Sequence, residues 1–105
     1  MQTITPEELK TKLDAGENPV LLDVREAWEY EICHIEGSTN ISMSNIQRML
    51  ESLKPDDEIV VICHHGIRSF QIANYLNDNG YKQIVNLTGG VDAWAESVDT
   101  NMAQY

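Results

Sequence analysis

A chain of 105 residues, 42% hydrophobic and 23% charged, has the length and composition of one globular domain and argues against disorder. Seven Lys and Arg against 17 Asp and Glu give a formal net charge of −10, which speaks against nucleic-acid and anionic-membrane partners. No apolar run is long enough to cross a membrane, and the start Met1-Gln2-Thr3-Ile4 lacks the features of a signal peptide, so a cytoplasmic location is expected.

In chain order, Thr5-Pro6-Glu7-Glu8 predicts a helix start, with Thr5 as N-cap, Pro6 at the first position and Glu8 closing a capping box. Leu9 and Leu13 share a face of that helix, and Gly16 stops it. Pro19 to Val24 reads as a short buried strand. Arg25 to Cys33 predicts a short helix with Trp28 and Ile32 four apart, and Trp28 as core or pocket wall. The acidic residues of this stretch, Glu26, Glu29 and Glu31, read as a solvated surface. His34 to Ser38 forms a turn, with His34 as a hydrogen-bonding residue, and a brief strand follows around Asn40-Ile41.

Ser44-x-x-Gln47 resembles a second capping box, ahead of Ile46, Met49, Leu50 and Leu53 on one helical face. Pro55-Asp56-Asp57 is a turn. Glu58 to Ile62 is a β-branched run too short for a helix and predicts a buried strand. A helix from about Ser69 to Asn79 carries a stripe of Phe70, Ala73 and Leu76, with Ile72 beside it, and Gly80 ends it. Ile84 to Leu87 is another strand. Gly89-Gly90 opens a last helix with Val91, Trp94, Ala95 and Val98 at helical spacing, the two glycines serving a close-packed turn. Residues 99–105 form a short tail with no clear signal. Alternating strands and helices predict an α/β domain over 1–105, with a central parallel sheet covered by helices on both faces.

The chemistry concentrates between Ile62 and Ser69. In open α/β sheets, ligands sit at the carboxyl ends of strands where loops lead into helices. Cys63 stands there, and the positive end of a helix favours its thiolate, the nucleophilic form. Gly66 allows the backbone N–H groups of His64, His65, Gly66 and Ile67 to converge as an anion nest before Ser69. Arg68 adds a permanent charge and a planar fork of donors. Asp23 and Arg25, at the end of a strand, predict a supporting polar network on the same side of the sheet. A Cys63-His64-His65 triplet cannot aim three side chains at one ion, so no metal is expected. The two cysteines, without a CxxC, read as free thiols.

Four motifs in order, Leu21-Leu22-Asp23-Val24-Arg25-Glu26, His34-Ile35-Glu36-Gly37-Ser38-Thr39-Asn40-Ile41, Val60-Val61-Ile62-Cys63-His64-His65-Gly66-Ile67-Arg68-Ser69 and Leu87-Thr88-Gly89-Gly90-Val91-Asp92-Ala93-Trp94, resemble a rhodanese domain over nearly the whole chain. The resemblance implies a parallel sheet flanked by helices, with Cys63 accepting sulfur and residues 64–68 wrapping its persulfide. It implies a sulfurtransferase that takes sulfur from a small anionic donor such as thiosulfate and gives it to cyanide or to a thiol or protein acceptor. No cofactor is implied. The pattern departs at Cys33, where rhodaneses commonly carry Gly and where a second thiol could resolve the first, and at Ser38, usually Ala. A phosphatase or arsenate reductase is the rival enzyme, but it needs five residues between Cys and Arg, and four stand between Cys63 and Arg68. A non-catalytic binding module is the other alternative.

Overall fold

A computed structural model describes residues 2–105. Its core is a five-stranded sheet in the order β1-β5-β4-β2-β3, parallel throughout, formed by β1 (Gln2–Ile4), β2 (Val20–Asp23), β3 (Thr39–Asn40), β4 (Glu58–Ile62) and β5 (Gln83–Leu87). The predicted α/β architecture is the observed one. Alternation along the strands divides the core in two. Leu22, Ile59, Val61 and Ile84 face helices α3 (Ile46–Ser52) and α4 (Ile67–Asp78), where Met49, Ile72, Ala73 and Leu76 meet them. Leu21, Val60, Ile62 and Leu87 face α1 (Pro6–Asp14) and α5 (Gly90–Ser97), where Leu9, Val91 and Trp94 meet them. The remaining helix, α2 (Ala27–Ile32), lies at the carboxyl end of the sheet. Among the described residues no helix is long and apolar enough to cross a membrane.

Local signals account for most element ends. Thr5 and Glu8 form the reciprocal capping box, with Glu8 N–H on Thr5 Oγ1 at 3.2 Å and Thr5 N–H on Glu8 Oε1 at 2.9 Å. Gly80 follows α4 with φ +90°, as a stop should. The structure departs from the sequence pattern at four points. The three-residue β1 is too short to carry a pattern and is held by pairing with β5 at the sheet edge. The Ser44 box does not form: α3 starts after Asn45, and Gln47 reaches Glu51 instead. Helix α4 starts at Ile67, two residues early, and buries Ser69, Ile72, Ala73 and Leu76 while Phe70 is exposed. Trp28, expected in the core or a pocket wall, is 61% exposed, because α2 turns Glu29 inward.

Candidate active site

Strand β4 delivers Cys63 to a turn that α4 closes. The thiol is buried, with 1% of the residue exposed, and Gly66 N–H donates to Sγ at 3.0 Å. Gly66 caps α4 at φ +96°, a conformation that favours glycine, and a Cβ there would crowd Gly89 N at 3.1 Å. Gly90 meets a different need. A Cβ on it would collide with the carbonyl oxygens of Cys63 and His64. Its absence lets α5 press its first turn against the loop, where Val91 N–H and Asp92 N–H donate to those two carbonyls at 2.9 and 3.1 Å. These bonds satisfy two of the free N–H groups at the start of α5 and fasten the loop to it.

The polar contacts of Cys63 close into a ring. The thiol donates to Ser69 Oγ at 3.3 Å, Ser69 donates to Asn86 Oδ1, Asn86 Nδ2 donates to the Gly66 carbonyl at 3.2 Å, and Gly66 N–H returns to Sγ. Asn86 comes from β5, is 5% exposed, and shares its sheet face with apolar Ile84. Burying an amide costs free energy unless its groups are bonded, and both groups of Asn86 are. Asn86 lies inside the strand predicted over Ile84 to Leu87, with no functional role expected of it. A lone polar residue inside Ile84-Val85-Asn86-Leu87, on a strand buried on both faces, was the available signal.

The other side of the loop is ionic. Arg68 forks onto Glu29, with Nη1–Oε2 and Nη2–Oε1 both at 2.7 Å. Glu29, expected on the solvated surface, is 3% exposed. The Arg68 guanidinium holds its carboxyl at about 2, against the cost of burial and with help from the Glu26 backbone and the Tyr105 hydroxyl. Glu29 in return raises the pKa of Arg68. Arg25 is fully buried, bonded through Nε and Nη2 to Asp23 at 3.0 and 2.7 Å, and through Nη2 to the Cys33 carbonyl at 2.7 Å. Burial works against its charge, but Asp23 and Tyr105 outweigh it and raise its pKa. Its Nη1 turns to the Glu29 carbonyl at 3.3 Å and to Tyr105. All three nitrogens of the Arg25 guanidinium are thus engaged within the protein.

Tyr105 belongs to the tail, from which the sequence yielded nothing. Its hydroxyl accepts from Arg25 Nη1 and donates to Glu29 Oε1, both at 2.9 Å. Its ring stacks on His64 at 3.8 Å between centroids, and Trp28 meets it edge-on at 6.2 Å. His64 is sandwiched between Tyr105 and His65, and burial and the neighbouring His65 lower its pKa against the pull of Asp92 and Glu29. His65 and Ile67 point outward, 58% and 71% exposed, with His65 Nδ1 3.7 Å from Asp92. His34 sits in its turn, Nδ1 2.8 Å from the Tyr30 carbonyl. Cys33 and Cys63 are both free thiols. Among the described residues no three His, Cys, Asp or Glu are placed to hold a metal.

The family model of the rhodanese-like domain matches residues 5–97. YrkF of Bacillus subtilis is 37% identical over 91 residues, covering 87% of this chain but only 49% of that protein, so the chain spans about half of it. YtwF, also of Bacillus subtilis, is 38% identical over 94 residues, 90% of each chain. The thiosulfate sulfurtransferase GlpE of Pseudoalteromonas translucida is 33% identical over 78 residues, 74% of each. Among solved structures, a rhodanese-like domain protein from Staphylococcus aureus superposes with TM-score 0.84 at 34% identity, covering 90% of this chain and 91% of that one.

Proposed function

The chain belongs to the rhodanese family, and from that premise we propose that it is a sulfurtransferase carrying sulfane sulfur as a persulfide on Cys63. The observation that carries the reading is the thiol itself: it stands at a strand-to-helix turn with the Gly66 N–H on its sulfur at 3.0 Å.

In the first half-reaction the Cys63 thiolate attacks the outer sulfur of thiosulfate. A new S–S bond forms, the donor's own S–S bond breaks, and its electron pair leaves with sulfite. Ionisation of Cys63 passes its proton to solvent and removes only the bond donated to Ser69. The Gly66 donor stays in place, so the cradle meets the charged sulfur without reorganising. In the second half-reaction a thiol or cyanide attacks the outer sulfur, the persulfide bond breaks, and the thiolate returns. The likeness to GlpE, a thiosulfate sulfurtransferase, supports thiosulfate as the donor.

Arg68 plays a changed part in this scheme. Its two terminal nitrogens already hold Glu29. It is therefore a positioning residue that fastens the loop to α2, and the loop N–H groups take the larger share of the incoming anion. The paired Asp23 and Arg25 support α2 and the turn at Cys33.

Thiocyanate formation from thiosulfate and cyanide tests the scheme. Double displacement predicts parallel double-reciprocal lines and loss of turnover in Cys63→Ser. Intersecting lines, or turnover retained in that variant, would refute it.

A further inference from the structure

We propose that Tyr105 is a specificity-determining residue beside the Cys63 loop, admitting small reagents and obliging a bulky thiol acceptor to displace residues 103–105. The assignment rests on Cys63 being the reacting group, as proposed above.

Three observations carry it. First, Tyr105 joins the two ends of the loop. Its ring lies flat on His64, the residue after Cys63, and its hydroxyl bonds the carboxylate that holds Arg68. Cys63, the residue before His64, is 1% exposed and packs on its inner side into the core between the sheet and α4. Second, the hold is releasable. Arg25 keeps Asp23, and Glu29 keeps Arg68, when the phenol leaves, so lifting Tyr105 leaves neither charge unpaired. Third, between Met102 and Tyr105 the chain has little hold of its own, so the position of this stretch depends on the Tyr105 contacts. Met102 packs against the α1–α5 core, whereas Ala103 and Gln104 are exposed, with Gln104 Nε2 3.5 Å from Asp92 Oδ1. Ala103 and Gln104 therefore add little resistance once the Tyr105 contacts break.

A residue serving only to fill the core would be enclosed. Tyr105 is 37% exposed, and its hydroxyl bonds two side chains that are already paired elsewhere. That is the arrangement of a residue that can come and go. When it lifts, the face of His64 and the outer edge of Glu29 become available to an acceptor.

The test compares the wild-type chain with Tyr105→Ala and Tyr105→Phe. Cys63 is labelled with iodoacetamide and with a polyethylene glycol maleimide, and each rate is read at the Cys63 peptide by mass spectrometry, apart from Cys33. Tyr105→Ala is expected to raise the maleimide rate about tenfold relative to the iodoacetamide rate, since an aromatic stack and two hydrogen bonds no longer hold the segment. Tyr105→Phe, which keeps the stack, should fall between. An unchanged ratio in both variants, each folded by circular dichroism, would overturn the proposal. Sulfur uptake from thiosulfate, read on the same samples, separates the two claims. A changed ratio without uptake upholds the gate and removes the sulfur reading, whereas uptake with an unchanged ratio removes the gate.

Discussion

The two sides of the loop are built from different materials. Around Cys63 the contacts are neutral and close on themselves, through Ser69, Asn86 and Gly66. Around Arg68 they are ionic, and two cations, Arg25 and Arg68, are matched by two anions, Asp23 and Glu29. The ionic side is thus compensated and offers little net field to a passing anion, in a chain whose formal charge is −10. The donor that the structure sets on the sulfur is instead a backbone N–H, that of Gly66, which sits at a fixed position and needs no counter-ion. The ionic side supplies rigidity; the neutral side supplies the site. Each can be disturbed separately.

The largest effect is expected on the ionic side. Asp23→Ala leaves Arg25, fully buried, without its counter-ion, and should cost about 3–5 kcal/mol in urea unfolding. A loss under about 1 kcal/mol would mean that Arg25 is not held as described. On the neutral side, Asn86→Leu fills the same space but strands the Ser69 hydroxyl and the Gly66 carbonyl, at a cost of about 1–3 kcal/mol. Stability equal to or above wild type would show that the ring adds nothing. Glu29→Gln should be milder at neutral pH, about 1–2 kcal/mol, because the Arg68 side chain, 33% exposed, can turn to water. Its signature lies in acid. The Glu29 carboxyl is held at about 2 in the folded chain against 4.5 ordinarily, so its stabilisation is complete above 4.5 and is lost as pH falls toward 2. The wild type should lose stability through that window more steeply than Glu29→Gln, and parallel acid profiles would contradict the pairing.

The same division decides what could be read in advance. Cys63, Gly66, Arg68 and Ser69 lie within seven residues between a strand and a helix, so spacing alone places them together. Asn86, Glu29 and Tyr105 come from β5, α2 and the tail, and only the folded chain brings them to the loop. Glu29 misled because amphipathic reasoning puts the aromatic inside and the carboxylate outside. On α2 the buried partner is a guanidinium, so Trp28 faces out and Glu29 faces in. The sheet was legible because Val60, Val61 and Ile62 form a β-branched run. Strand β1 was not, since its three residues depend on β5 for pairing.

Whether Cys63 carries sulfur is most directly tested by intact mass after incubation with thiosulfate, beside a Cys63→Ala control. The account predicts that the wild type gains one sulfur atom and loses it on adding cyanide, while the control gains none. No gain in the wild type, or an equal gain in the control, would contradict it.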